Sequence, residues 1–107
     1  MVRYDPAAFK DLSREALLKA VNAEGIPAFS GYTHALYRNP MFLNRAFYAP
    51  GAPEDYGKFS ECCPVAERAV SYEAIWLEQR FFLGSRADMD DIAEAFRKVK
   101  DNVDEFL

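Results

Sequence analysis

The tetrapeptide Glu24-Gly25-Ile26-Pro27 admits one local geometry. A helix that reaches Glu24 has to stop there. Gly25 takes the left-handed turn without steric cost, and Pro27 has no amide with which to continue. The residues upstream supply the helix. Ser13 can cap its first free amides, and Glu15 sits near the positive end of its dipole. Leu17, Ala20 and Val21 recur at helical spacing, with Leu18 widening the apolar face. Ile26 is placed to pack back on Val21, as a glycine-terminated helix requires. Downstream the chain is extended: Pro27 to Phe29 reads as a short strand opened by a proline, and Gly31 permits a bend.

The remaining periodic segments complete an α+β layout. Val2 to Tyr4 is a β-prone run ended by Asp5-Pro6. Pro64 opens a second helix after Cys63, with Val65, Ala66, Ala69 and Val70 as its apolar stripe. Ala74 to Leu77 reads as an apolar strand. Gln79 to Gly84 is ambiguous, because Phe81-Phe82-Leu83 fits either an extension of that strand or a buried turn. Arg86 to Phe106 is the clearest helix, with Met89, Ile92, Ala93, Phe96, Val99, Val103 and Phe106 at three- and four-residue steps. The order strand, helix, strand, long loop, helix, strand, helix implies a small two-layer sandwich. Its sheet would be mostly antiparallel, with three or four strands and the helices on one face.

Between Tyr32 and about Ser60 no pattern exceeds a turn. An aperiodic stretch of roughly 30 residues is uncommon inside a compact domain and usually functional. Its beginning gathers Tyr32, His34, Tyr37, Arg38 and Asn39, closed by Pro40, and holds the only histidine. Tyr32 and Tyr37 suit hydrogen bonds to a polyhydroxylated ring, or amphipathic packing with wet hydroxyls. Arg38 suits a carboxylate, from a ligand or from a surface ion pair. His34 suits proton transfer or ordinary surface exposure. Trp76 and the Phe81-Phe82 pair suit the core or an interface.

The totals exclude several classes. A chain of 107 residues suits one domain, 1–107. A net charge of −4 argues against a nucleic-acid partner, which calls for clustered Lys and Arg. No apolar run approaches the roughly 18 residues of a membrane span, and the amino terminus lacks a signal peptide's apolar stretch, so a cytoplasmic location is expected. Cys62 and Cys63 are adjacent, which makes no disulfide framework, and with one histidine elsewhere no zinc spacing arises. Asp88, Asp90 and Asp91 read as a solvated first turn, not a metal site.

Six ordered blocks carry a resemblance. Arg3-Tyr4-Asp5-Pro6, Ser13-Arg14, Glu24-Gly25-Ile26-Pro27, Tyr37-Arg38-Asn39-Pro40-Met41-Phe42, Cys63-Pro64-Val65-Ala66-Glu67-Arg68 and Met89-Asp90-Asp91-Ile92 span nearly the whole chain. Together they resemble the carboxy-terminal small domain of the DegT/DnrJ/EryC1/StrS aminotransferases. These are pyridoxal phosphate (PLP) enzymes of fold type I that aminate keto-sugars and keto-cyclitols. The pattern around Tyr32, Tyr37, Arg38, Pro40 and Phe42 looks more like members acting on keto-inositols. It departs from many members at Tyr32 and Tyr37, where they place histidine, and at Glu78, where they place proline.

The resemblance implies that Tyr32, His34, Tyr37 and Arg38 line the substrate mouth. It also implies that the PLP-binding domain is a missing partner, joined in cis or in trans. None of Lys10, Lys19, Lys58, Lys98 and Lys100 sits in a setting like the family's Schiff-base lysine, and no glycine-rich phosphate loop occurs. The chain alone is therefore expected to bind no PLP and to catalyse nothing. Its abrupt start fits a fragment or a truncated reading frame. The alternative is a stand-alone binding or protein-interaction module that kept the fold. That module would be a stable monomer or dimer, whereas a fragment stable alone would bare an apolar domain interface that favours homo-oligomers.

Overall fold

A computed structural model describes residues 1–43 and 63–107. In chain order the regular elements are β1 (Val2–Arg3), α1 (Arg14–Ala23), β2 (Ala28–Phe29), α2 (Pro40–Leu43), α3 (Pro64–Arg68), β3 (Ala74–Leu77) and α4 (Arg86–Asp101). The strands form one antiparallel sheet in the order β1-β3-β2. The expected small α+β arrangement with a three-stranded antiparallel sheet is what the structure has.

Each strand is short because its neighbours forbid more. Pro27 lacks a ladder donor, so β2 starts at Ala28. Beyond β1, Tyr4 still donates its amide to the Glu73 carbonyl at 2.6 Å. The register Val2↔Ile75 and Ala28↔Leu77 sets one face of the sheet, and Phe29↔Trp76 the other. Ile75, Leu77 and Ala28 join Leu17 and Val21 of α1 and Val99 of α4 in a single core. Hence α1 and α4 cover the same face, while Phe29 and Trp76 look out from the opposite one.

α1 ends as its sequence dictates. Ile26 donates to the Val21 carbonyl at 3.2 Å and Gly25 to that of Asn22 at 3.0 Å, with Gly25 at φ 89°. At the other end Ser13 Oγ accepts from the Ala16 amide. Asn22 then does what the short β2 cannot do alone. Its Nδ2 donates to the Ala28 carbonyl at 2.8 Å, and its Oδ1 accepts from the Ala28 amide at 3.2 Å. The strand is thereby pinned to the helix from which it emerges.

Four expectations need correction. α4 stops at Asp101 rather than Phe106. Asn102 Nδ2 donates to the Lys98 carbonyl at 2.8 Å, and a 3-10 turn over Val103–Glu105 comes next. That tightening keeps Val103 in the core and leaves Phe106 exposed. On α4 it is Ala95, not Ala93, that is buried. The stripe runs through Ile92, Phe96, Val99 and Val103, and at ~100° per residue Ala93 falls off its edge. Ser85 starts the helix with a capping box, exchanging bonds with Asp88.

The Phe81-Phe82-Leu83 run is neither strand nor buried turn. It lies in a 3-10 turn, Gln79–Leu83, with Phe82 51% and Leu83 78% exposed. Nor does Val65 face the core, since it is 64% exposed. At ~100° per residue Val65 falls on the edge of the stripe that Ala66, Ala69 and Val70 keep half-buried, and α3 then gives way to a wider π-helical turn over Ala69–Glu73. The buried Arg14 takes up carbonyls there, donating from Nη1 to Val70 at 3.0 Å and to Ala74 at 3.3 Å. Expectations for 44–62, including the rest of the aperiodic stretch, Lys58 and Cys62, lie outside the described residues.

Candidate functional site

β2 delivers the chain to Gly31, whose φ of 77° turns it across the open face of the sheet. The turn is close to Trp76: a Cβ on Gly31 would stand 2.3 Å from the indole Nε1. Tyr32 comes to rest edge-on to that indole, with ring centroids 5.3 Å apart and planes at 79°. Phe29 flanks the same indole at 6.4 Å. Trp76 is therefore neither core nor idle, since it is the floor from which the loop rises. Tyr32 keeps one side in contact and is still 70% exposed.

The loop then forms a depression of about 430 Å³ lined by Tyr32, Thr33, His34, Leu36 and Asn39. Thr33 Oγ1 and His34 Nδ1 are within hydrogen-bond distance at 2.9 Å. Asn39 Oδ1 accepts from the Met41 amide at 3.0 Å, which holds the start of α2. The lining offers a phenol, a hydroxyl, an imidazole and a carboxamide, and contains no Lys, Arg, Asp or Glu among the described residues.

Tyr37 and Arg38 are placed differently. Both turn to α3, where the single oxygen Glu67 Oε1 accepts the Tyr37 hydroxyl and, at 2.6 Å, Arg38 Nε. The four expected residues thus fall into two adjoining pairs. Tyr32 and His34 line the depression, and Tyr37 and Arg38 meet on a carboxylate. Glu67 belonged to one of the sequence blocks but had no role there. Pro64 at the first helical position and an acid three residues on were the available signal.

Charge and hydrogen bonding act on this cluster together. Glu67 is held below the usual glutamate value of 4.5, first by the Tyr37 hydroxyl and then by Arg38. Tyr37 is raised above 10.0, first by partial burial and then by its bond to Glu67. A depressed carboxylate contributes stability that is complete above its unfolded pKa and is lost as pH falls through the folded value. A raised phenol contributes stability below pH 10.0 that is lost as pH rises through its folded value. Melting temperature against pH should therefore fall at both ends, and Glu67→Gln should flatten both limbs. Parallel wild-type and variant curves would refute the coupling.

The proteins this chain is similar to are aminotransferases. It is 35% identical over 108 residues to a Streptomyces kanamyceticus protein named as a putative L-glutamine:3-amino-2,3-dideoxy-scyllo-inosose aminotransferase. Proteins of the same name from Streptoalloteichus tenebrarius and Micromonospora echinospora are 34% and 33% identical over 110 and 109 residues. These alignments take in 96–97% of this chain and 26% of each relative, so the chain spans about a quarter of the length of the curated relatives it matches. No family model matches the chain, and no solved structure does.

Proposed function

We propose that this chain is the substrate-mouth portion of a PLP-dependent aminotransferase of the DegT/DnrJ/EryC1/StrS type. In this reading it is a fold type I small domain, and its Tyr32–Pro40 loop receives a keto-cyclitol or keto-sugar. The observation that carries this reading is the match of nearly the whole chain to a quarter of each aminotransferase relative. The depression supports it from the chemical side. Its phenol, hydroxyl, imidazole and carboxamide groups both donate to and accept from ring hydroxyls, and Leu36 supplies an apolar edge for ring carbons.

The amino-group chemistry itself belongs elsewhere. PLP, when bound, supplies the electron sink for transamination and is held through a lysine. The residues that line the depression do not suit that group. Lys10 is engaged by Asp104 at 2.6 Å and Lys98 by Glu24 at 2.7 Å, and the depression's lining includes no lysine among the described residues. What this chain's residues can do is bind and orient the acceptor. Tyr32, Thr33, His34 and Asn39 would take its hydroxyls. The cofactor lysine would come from a second portion, in the same polypeptide or in a partner.

A chimera tests the proposal. The matching quarter of the Streptomyces kanamyceticus protein is replaced by this chain, and L-glutamine-dependent amination of the ketone is measured. The chimera should keep kcat/KM within about tenfold of its parent. A soluble chimera that carries its cofactor and transfers no amine would overturn the reading.

A further inference from the structure

We infer that Glu67 is a positioning residue, which sets the wall of the Tyr32–Asn39 depression by holding Tyr37 and Arg38. This role deepens the proposed function and rests on it for the identity of the ligand. The mechanics come from the 3-10 turn at Leu36–Arg38. With three residues per turn, side chains at positions i and i+3 eclipse. Leu36 and Asn39 are such a pair, and both line the depression. Tyr37 and Arg38 occupy the two intervening positions, and both are taken by Glu67 Oε1. Gripping those two side chains fixes the rotation of the turn about its own axis. That rotation decides whether Leu36 and Asn39 face the depression.

Next to the turn Ala35 is buried, and Asn39 accepts from the Phe42 amide at 2.9 Å, but these contacts hold the turn's ends and not the side chains between them. The turn's own backbone bonds are Arg38 N to Ala35 O at 2.8 Å and Asn39 N to Leu36 O at 3.0 Å, two bonds in one short 3-10 turn that open more readily once the side chains of Tyr37 and Arg38 are released. Leu36 is itself 73% exposed and provides no anchoring burial. Glu67 stands on α3, some 30 residues away in sequence, beyond the 44–62 segment. It therefore ties the loop to a separate part of the fold. One oxygen thus serves both a phenol and a guanidinium Nε, with Arg38 half exposed.

The experiment compares the 107-residue chain with its Glu67→Ala and Glu67→Gln variants. Hydrogen exchange is followed at the Arg38 and Asn39 amides, and scyllo-inosose is titrated against the Asn39 side-chain amide resonance. Glu67→Ala should speed exchange at those two amides by at least about tenfold, with the Gly25 and Ile26 amides unchanged. It should also weaken scyllo-inosose binding by about tenfold. Glu67→Gln keeps an acceptor oxygen and should recover most of both effects. Unchanged exchange in Glu67→Ala would overturn the inference, whether or not the ketone binds. So would faster exchange with undiminished affinity, because Glu67 would then order the turn without shaping the wall. If the wild-type chain fails to bind scyllo-inosose while exchange responds as expected, the ketone reading falls and the positioning role stands.

Discussion

Replacing Leu17 by alanine should cost about 2–5 kcal/mol of unfolding free energy. Leu17 is 0% exposed and lies where α1, α4 and the sheet meet, in one cluster with Val21, Ile75 and Val99. Removing its branched end takes away its dispersion contacts and leaves a cavity that neighbours on three elements cannot all close. In a domain of this size such a loss is a large share of total stability. It should lower the melting temperature by roughly 10–25 °C. Urea denaturation gives the cleaner measure: the midpoint should drop while the slope stays constant. Val65→Ala is the matched control, because Val65 is largely exposed, and it should move stability by no more than about 0.5 kcal/mol. Similar shifts for the two variants would mean that the core lies elsewhere.

The same substitution reaches the site only indirectly. Ile75 holds β3 from the helix side, and Trp76, the next residue, carries the loop on the other side. A softened core should therefore loosen the platform under Tyr32 without touching a residue that lines the depression.

What could be read from the sequence divides along one physical line. Signals that act within a turn or two of chain were legible: the Ser13 cap, the Gly25 stop, Pro27 before β2 and the apolar run of β3. Each depends on neighbours already visible in the sequence. Signals that depend on a distant partner were not. Arg14 reads as an ordinary first-turn residue until its guanidinium is seen on the Val70 and Ala74 carbonyls, 56 and 60 residues away. The π-helical turn that follows α3 lies at that same place. The end of α4 failed for a related reason. The apolar spacing continues through Val103 to Phe106, so periodicity could not register that Asn102 closes the helix with its own side chain. At the site, residue types marked the loop as a cluster of hydrogen-bonding groups. Their division into two pairs was hidden, because it is made by Glu67 from another helix.

Gly31→Ala should be nearly as damaging as the loss of Leu17, and it should act at the site. Two independent costs add. The backbone stands at φ 77°, a region that an L side chain enters at about 1–2 kcal/mol. The added Cβ would meet Trp76 Nε1 at 2.3 Å, Cδ1 at 2.5 Å and Cε2 at 2.9 Å. All three atoms belong to a rigid ring that cannot bend away, so the indole or the loop has to move, at about 1–3 kcal/mol. Gly25 separates the two terms. It has φ 89° and nothing within 4 Å of its added Cβ, so Gly25→Ala should cost only the backbone part. The excess of Gly31→Ala over Gly25→Ala then measures the contact with Trp76. A double-mutant cycle checks the assignment: with Trp76→Leu in place, the penalty of Gly31→Ala should fall toward that of Gly25→Ala. Trp76 is also the only tryptophan, so its emission reports directly on the platform and should shift in Gly31→Ala while holding in Gly25→Ala. Equal penalties for the two glycines, with unshifted emission, would show that the loop does not lean on the indole. The seat of Tyr32 would then have to be sought in other contacts.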